Sequence, residues 1–364
     1  MVRSFLARDD SGPDTWKRLA GELGLCGLGV PSAFGGAGAG LGEVAVAVAE
    51  AGRVLLPLPV LSTALAGAVL GSAVTVGAGA RLGEVLAGVA DGSVRAAFVF
   101  GDVRVTDGRV SGTVSHVLEG ATADVFLVGC ALTRSSGLNC AIDTVGGGGG
   151  EVYVVRVGDV GVTVTPSETL DQTRSQATVS FADAAGLAVG ADAGRAEDLL
   201  RLMLAVESAA AAEYCLDVTV EYLKTRKQFG RVLGTFQALR HRCADLAVEV
   251  ASAVTTARAA IARPDELAVL GPLAKKHCAD VFWHVAAEMV QLHGGIGFTW
   301  EHEAHRYLKR AKTTQLLHGS PAELRRLVAQ RAGLHEELCP VTTTGVTEFS
   351  WRATLSGTAC SCPA

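Results

Sequence analysis

Hydrophobic positions recur at helical spacing from Ala193 to Gly230, the stretch around which the rest of the chain is organised. Apolar and aromatic residues return at steps of three and four, and neither proline nor glycine interrupts the run between Gly194 and Gly230. The pattern predicts a helix that ends near Phe229 and is roughly 45 Å long, at 1.5 Å per residue. A helix of that length suits the spine of a helical domain.

The pattern divides the chain into three blocks and a tail. Up to about residue 90 it predicts helices and turns, with a short amphipathic helix at Trp16 and a further helix that begins near Ser62. From Val94 the period changes to two, and short β-branched runs between glycine and aspartate turns predict strands up to about Val189. Helical spacing returns after Asp192. We expect domains at 1–90, 91–190 and 191–335, followed by an irregular tail at 336–364.

Start and stop signals place the remaining helices of the last block. A second helix is expected from Thr235 to Arg263, and a third is expected to start with Pro272 at its first position and to end at His293. Shorter helices follow at Glu301–Leu317 and Pro321–Arg331. The last has the clearest start, because Ser320 can cap it and Glu323 completes a capping box.

Composition narrows the class of protein. Hydrophobic residues make up 49% of the 364 residues, which indicates a folded chain, and a net charge of −5 argues against a nucleic-acid binder. No apolar run is long enough for a membrane span, and the apolar part of the N-terminus is too short for a signal peptide. Nine scattered cysteines without metal-ligand spacing indicate free thiols in a reducing compartment. We therefore expect a cytoplasmic protein. The glycine run at 146–150 lacks the rest of a phosphate loop and predicts a flexible turn.

Two stretches carry candidate chemistry. Arg226–Gly230 and the following Gly234–Leu246 combine cations, amides and an aromatic, a set that suits a pyrophosphate and a stacked ring; a solvated basic corner is the alternative. In Gln291–Lys312 a glycine pair permits close approach of a ligand to the backbone. The histidines of that stretch, His293, His302 and His305, lack a recognisable ligand set, so no metal is expected.

Five segments together resemble the acyl-CoA dehydrogenase family of FAD-dependent flavoproteins. They are LGLCGLGVPSAFGGAGAGLGE near the N-terminus, LDQTR at 170–174, RKQFG at 226–230, FQALRHRCADL at 236–246 and QLHGGIGFTWEHEAHRYLKRA at 291–311. The similarity covers about residues 16 to 332. It implies an α+β fold with an N-terminal helical domain, a middle β-barrel or sandwich, and a C-terminal four-helix bundle.

The resemblance also implies roles for individual residues. A group that would contact the FAD of a neighbouring subunit comprises Arg226, Gln228, Phe229 and Gln237. A second group would approach the adenosine half of that shared FAD: Gln291, Gly294 and Gly295. Ser320 would face a flavin on its own subunit, and Arg201 matches a family arginine next to the acyl-CoA site.

The chain departs from the family where the base is expected. Many members carry a catalytic glutamate where His318 stands here, and others carry it where Leu200 stands. Two candidates remain, Glu207 and His318. Glu207 lies among apolar neighbours, which would raise the pKa of its carboxyl group and make it a better base. Alternatively, it pairs with an arginine and has only a structural role in the core. His318 is near-neutral and can serve as base, or it only packs or contacts the ribityl chain. In the middle domain, His116 stands where the family has a tryptophan.

The shortened loop of the middle domain and the missing glutamate resemble a sub-group of the family that forms mixed oligomers of unlike subunits. The first hypothesis is therefore an acyl-CoA or acyl-carrier-protein dehydrogenase that forms an α,β-unsaturated thioester and passes electrons to an electron-transfer flavoprotein. It would act as a homo-oligomer or with an unlike subunit of the same family. Two alternatives stay open: a non-catalytic partner subunit, and a repurposed scaffold that catalyses a non-redox step.

Overall fold

The computed structural model describes residues 5, 14–74, 79–130 and 150–334. The first helices are α1 (Thr15–Gly21), α2 (Leu41–Arg53), α3 (Val60–Val74) and α4 (Ala80–Asp91). Helices α2, α3 and α4 bury aliphatic side chains in one core with the long C-terminal helix and so form part of the wall around it, whereas Leu19 of α1 lies in a smaller separate core. The glycine run at 146–150, except Gly150, and the expected tail at 336–364 lie outside the described residues.

The middle block forms two four-stranded sheets. The strands are β1 (Ala96–Phe100), β2 (Val103–Thr106), β3 (Arg109–Leu118), β4 (Val125–Cys130), β5 (Glu151–Arg156), β6 (Val162–Pro166), β7 (Gln176–Ala185) and β8 (Leu187–Asp192). One sheet has the order β1-β4-β5-β8, in which β1 and β4 run parallel, and the other is antiparallel in the order β2-β3-β7-β6. The two sheets share a core, so the block is a sandwich.

Strand β4 shows why the first sheet lies at the centre of the molecule. All six of its residues are buried. Phe126 and Val128 face the core between the sheets, whereas Val125 and Leu127 join the core of the helices. Because successive side chains of a strand point to opposite faces, an unbroken apolar run is what a sheet covered on both sides requires.

The last block begins with the long helix α5 (Ala193–Thr225), which is about 50 Å long. Every residue from Leu200 to Ala212 is buried, so this part of the helix is surrounded on all sides. Around it lie α6 (Gln237–Ala262), α7 (Leu267–Leu292), α8 (Ala304–Leu316) and α9 (Pro321–Arg331). The expected α+β fold, with helical blocks on either side of a sheet block, is confirmed.

Three expected helix boundaries were wrong, and the smallest of these errors is that the helix expected from Glu301 begins at Ala304. The long helix ends at Thr225, because Arg226 turns into an extended conformation and residues 227–232 form a hairpin of β9 (Lys227–Gln228) and β10 (Arg231–Val232). The turn residues Phe229 and Gly230 both have positive φ, +54° and +73°, as a two-residue hairpin loop requires.

Helix α7 begins at Leu267, and Pro272 lies inside it rather than at its start. A proline has no N–H to donate to the carbonyl four residues earlier, which is that of Ala268. Here the Arg331 guanidinium donates to the Ala268 carbonyl at 2.7 Å and replaces the missing donor. Of the helices described, none is both long and apolar enough to cross a membrane.

Candidate active site

The turn between α8 and α9 brings His318 to the junction of the sandwich and the helices. His318 has φ +53° and Gly319 has φ +112°, so the chain reverses sharply before Ser320 caps α9. Two cations hold this turn from behind. Arg201 Nε donates to the His318 carbonyl at 3.1 Å, and Lys275 Nζ donates to the carbonyls of Gln315 and Gly319 at 3.0 and 2.7 Å. The position of His318 is thus fixed by side chains of α5 and α7.

A cavity of about 290 Å³ opens beside this turn, and we call it the junction cavity. Its volume is at the small end of the range for ligand pockets. The cavity lies between strands β1 and β3, helices α5 and α9, and the turn. Its lining residues are Phe98, Phe100, Val114, Ser115, His116, Val117, Glu197, Arg201, Leu316, Leu317, His318, Gly319, Glu323, Leu324 and Leu327. Its walls combine aromatic and aliphatic surface with a few polar groups, the composition of a small-molecule site.

His318 enters the junction cavity as a neutral imidazole. Its Nε2 finds no hydrogen-bond partner among the described residues, and the Phe100 ring meets it edge-on with the centroids 6.2 Å apart. Burial, with the nearby cations Arg201, Lys275 and Arg174 acting in the same direction, lowers the pKa of His318 to about 3. A histidine that resists protonation so strongly is a poor proton acceptor at neutral pH.

His116 reaches the same cavity from strand β3. The pairing of β3 with β7 shifts register between Val114 and Val117, and His116 lies in this bulge with φ +58°. Its Nδ1 is 3.2 Å from Oε1 of Gln176. Bulges of this kind re-aim side chains, and here the bulge places an imidazole on the cavity wall.

Arg201, expected next to the substrate, does line the junction cavity but is bound within the protein. Nη1 donates to Asp198 at 2.8 Å, Nη2 donates to Glu197 at 2.6 Å, and Nε donates to the His318 carbonyl. All three guanidinium nitrogens therefore have protein partners. Its role in this arrangement is to hold the neighbouring groups in place.

Sequence reasoning missed Glu197. It lies one helical turn before Arg201, and burial raises the pKa of its carboxyl group, with the Asp198 charge acting in the same direction and Arg201 opposing. The spacing of four from an arginine on a helix was a readable signal for the ion pair. The direction in which that face of the helix points was not readable.

Glu207 lies elsewhere, in a buried group of charges that we call the ion cluster. Its members are Glu119, Asp171, Arg174, Glu207 and Arg310. Glu207 Oε1 accepts from Arg310 Nη1 at 2.9 Å, and Oε2 accepts from Arg174. The side chain is not among those that line the junction cavity. The geometry thus matches the core-building interpretation of Glu207 and leaves neither of its oxygens free.

The other expected cofactor residues meet at the far end of the bundle, which we call the hairpin end: residues 226–237 and 291–295. The Tyr222 hydroxyl donates to the His293 carbonyl at 3.3 Å and the two rings stack, so the end of α5 is fixed to the end of α7. Phe229 is 88% exposed. Seven expected cofactor residues are exposed at this end: Arg226, Gln228, Phe229, Gln237, Gln291, Gly294 and Gly295.

The glycines of the hairpin end leave room for a ligand. A side chain added at Gly294 or Gly295 would meet nothing within 4 Å in this chain. Beside them the aromatic rings of Phe298 and Trp300 are 87% and 78% exposed, a feature that the sequence analysis did not single out. His293 stacks between Tyr222 and His302, while His305 packs on Trp300. Across the described ranges, no three metal-ligating side chains are grouped to hold one ion.

Comparisons with known proteins agree with this architecture. The sequence model of the acyl-CoA dehydrogenase N-terminal domain matches residues 3–93, and that of the C-terminal domain matches residues 195–333. The acyl-CoA dehydrogenase IpdE2 of Mycolicibacterium smegmatis is 36% identical over 319 residues, 87% of this chain and 88% of that protein. FadE34 of Mycobacterium tuberculosis, also an acyl-CoA dehydrogenase, is 34% identical over 91% of this chain and 44% of its own length.

Solved structures show the same fold. A variant of the Tcur3481-Tcur3483 steroid ACAD superposes with a TM-score of 0.75 at 27% identity, covering 91% of this chain and 96% of that one. Butyryl-CoA dehydrogenase from Megasphaera elsdenii gives a TM-score of 0.75 at 21% identity, over 92% of this chain and 96% of its own. The chain belongs to the acyl-CoA dehydrogenase family. It is accordingly a flavoprotein oxidoreductase of lipid metabolism that acts on CH–CH donors with FAD as cofactor.

The residues present fit FAD. At the junction cavity, the N-terminus of α9 and an imidazole nitrogen that has no hydrogen-bond partner in the described part of the chain lie beside aromatic walls. At the hairpin end, Arg226 forms no ion pair with any described residue, and Phe229 offers an exposed ring. Guanidinium, ring and open glycine backbone are the groups that a dinucleotide cofactor uses.

Proposed function

We propose that the chain oxidises an acyl thioester, linked to CoA or to a carrier protein, to its α,β-unsaturated product and passes the electrons to an electron-transfer flavoprotein. The observation that carries this proposal is the junction cavity itself. The cavity joins the sandwich, the long helix and the turn at His318. This turn is the position where many members of the family carry their base.

Different residues of the chain have different roles in this reaction. Phe98, Phe100 and Leu317 exclude water from the acyl group, which strengthens every polar interaction inside the cavity. The Arg201–His318 hydrogen bond holds the turn in place. FAD, when bound, supplies the acceptor for the hydride that leaves the β-carbon. A free-thiol state of the described cysteines fits a reducing compartment, and we place the reaction in the cytoplasm.

We assign two surfaces of each chain to FAD. Ser320, beside the junction cavity, faces the flavin of its own chain, and the hairpin end contacts the FAD of a neighbour through the residues already named. Arg201 and Tyr222 are separated by about 32 Å along helix α5, at 1.5 Å per residue. This separation supports an assembly in which two chains, either two copies or this chain and an unlike family member, complete each site.

A second candidate function is favoured by His318. The carboxylate position is taken by an imidazole whose pKa is held far below neutrality. A chain with such a site can serve as the subunit that completes the FAD pocket of an unlike partner without turnover of its own.

The absorbance spectrum of the purified chain, followed by anaerobic titration with acyl-CoA thioesters, tests the proposal. We expect a flavin spectrum with about one FAD per site, bleaching on addition of thioester, and an α,β-unsaturated product detectable by mass spectrometry. Reoxidation by an electron-transfer flavoprotein checks the acceptor.

Two outcomes would count against it. A chain that stays colourless with added FAD, yet restores colour and turnover when mixed with an unlike family member, is a partner subunit. A flavin that is bound but not bleached by any acyl thioester would remove the dehydrogenase proposal.

A further inference from the structure

The first turns of helix α5 place a carboxylate at the wall of the junction cavity. Glu197 lines the cavity, and its side chain is 27% exposed, so it is neither solvated at the surface nor sealed in the core. Its Oε1 accepts from Arg201 Nη2 at 2.6 Å. No hydrogen bond to Oε2 is recorded within the described ranges, which leaves that oxygen available to a ligand.

Arg201 ties this carboxylate to the turn of His318. One nitrogen of the guanidinium donates to Glu197, and another donates to the His318 carbonyl at 3.1 Å. Two hydrogen bonds through one planar group therefore connect Glu197 to the turn on which other family members carry their carboxylate. A guanidinium fork fixes both distance and orientation. The loss of a carboxylate from the turn is matched by a carboxylate on the facing helix.

The second carboxylate in the cavity wall is not equivalent. Glu323 Oε2 accepts from the Ser320 N–H at 2.8 Å in the capping box of α9, and these hydrogen bonds lower the pKa of Glu323. A carboxylate held in a cap is a weaker base and is needed for the helix start. Within the described ranges each of these two carboxylates accepts through one oxygen, and Glu197 is the one that is not needed for a helix start.

We propose that Glu197 is the base that removes the α-proton of the thioester, with Arg201 as its positioning residue. This inference rests on the proposed function. In the step, the Cα–H bond breaks and the proton goes to Oε2 of Glu197. The electron pair left on Cα forms the new double bond as a hydride leaves the β-carbon for FAD. The proton is then released from Glu197 to solvent with the product.

The electrostatic surroundings suit this role. Burial raises the pKa of Glu197, and the carboxylate of Asp198 adds to the effect; Arg201 from the same helix and Arg331 from α9 oppose it. The His318 imidazole faces the same space and stays neutral, so it adds no positive charge that would make Glu197 a weaker base. A raised pKa brings a carboxylate closer to the range in which it accepts protons efficiently.

The test separates proton removal from oxidation. A CoA thioester with sulfur in place of the β-carbon cannot lose a β-hydride, yet its α-protons are acidic. The purified chain, with FAD added, is incubated with this 3-thia-acyl-CoA in deuterium oxide, and α-deuterium incorporation is followed by NMR. We expect the wild-type chain to catalyse exchange and Glu197→Gln to lower the rate by about a hundredfold or more.

Two further variants and a binding measurement make the test specific. Glu221→Gln carries the same substitution at an exposed position on the same helix and is expected to exchange at the wild-type rate. Glu197→Asp keeps the carboxylate and is expected to restore part of the rate, with the pH profile of exchange shifted. Thioester binding, measured by calorimetry, should change less than threefold in Glu197→Gln, which checks that the cavity is intact.

The outcomes of the exchange experiment distinguish the assignment of the base from the dehydrogenase function. Wild-type exchange that persists in Glu197→Gln but is lost in His318→Gln or Glu207→Gln overturns the assignment to Glu197. Exchange that depends on Glu197, in a chain whose flavin is not bleached by ordinary thioesters, keeps the assignment and overturns the dehydrogenase function. No exchange by the wild-type chain, with or without FAD, overturns both.

Discussion

The two ends of helix α5 hold polar candidate residues in opposite environments. Near its start, Arg201 is 5% exposed at its side chain and all its nitrogens have partners within the chain. Just past its end, Arg226 forms no ion pair with a described residue, and Phe229 is 88% exposed. The chain thus satisfies the polar groups at one end by itself, whereas at the other end it exposes groups that we propose contact FAD.

Between the two ends, the ion cluster locks the helix to its neighbours. Arg310 is 1% exposed and donates to Asp171 at 2.7 Å, to Glu207 at 2.9 Å and to the Thr173 carbonyl at 2.8 Å. This one guanidinium therefore connects the loop before β7, helix α5 and helix α8. Buried charges of this kind contribute little net stability compared with apolar groups, but they are costly to separate. The cluster therefore sets where the three segments lie.

Breaking the ion cluster should have the largest effect on stability. Arg310→Met removes the ion-pair partner of Asp171 and one of the two ion-pair partners of Glu207, and we expect a loss of about 3–5 kcal/mol of unfolding free energy. The midpoint of urea unfolding, followed by circular dichroism, measures it. Arg306→Met, on the exposed side of the same helix, should change stability by less than about 0.5 kcal/mol. Similar midpoints for both variants would show that the cluster does not lock the helix.

The pH dependence of stability tests the surroundings of Arg201, at the start of α5, through Lys275. The Nζ of Lys275 donates to carbonyls at the His318 turn. Burial lowers the pKa of Lys275 from 10.5 to about 7, and Arg201 acts in the same direction while Asp280 and Glu323 oppose. Between pH 7 and pH 10.5 the unfolded chain binds a proton that the folded chain does not, so this residue makes stability rise with pH across that window.

We expect Lys275 to add roughly 2–3 kcal/mol to the free energy of unfolding as the pH goes from 7 to 9, at about 1.4 kcal/mol per pH unit. Buried cysteines and tyrosines with raised pKa values oppose this trend at the alkaline end, so the difference between wild type and Lys275→Met isolates the lysine. Lys276→Met, at the neighbouring, more exposed position, is the matched control. Equal slopes for wild type and Lys275→Met would mean that Lys275 keeps an ordinary pKa in the folded chain.

Much of the fold could be predicted because its signals are local. Period-two runs located most strands of the sandwich, and the Ser320–Glu323 capping box located α9 to the residue. The start of α7 could not be found in this way. Pro272 reads as a helix start, and only Arg331, 59 positions along the chain, makes its place inside the helix tolerable.

The site was less predictable, because many of its contacts come from distant parts of the chain. The resemblance singled out His318 and Arg201, and both residues line the junction cavity. The surroundings of Glu207 depend on Arg174 and Arg310, which come from distant segments, so its pattern of apolar neighbours was equally compatible with a base and with a core ion pair. Glu197 is a third case: its pairing with Arg201 is local, but the cavity that it faces is built by strands β1 and β3.

Changes at the hairpin end should have the smallest effect on stability, because these residues contact little within the chain. Phe229→Ala and Arg226→Gln should each change the free energy of unfolding by less than about 0.5 kcal/mol. FAD retention should fall by about tenfold or more in Arg226→Gln, since a charge-assisted hydrogen bond contributes about 1.5–3 kcal/mol. Flavin fluorescence titration and sedimentation of the same samples measure FAD affinity and assembly. Arg258→Gln, at an exposed position of α6, provides the same substitution away from the hairpin end. If Arg226→Gln and Arg258→Gln bind FAD equally well, the hairpin end is an ordinary surface. Its contrast with the buried surroundings of Arg201 then does not reflect a shared cofactor site.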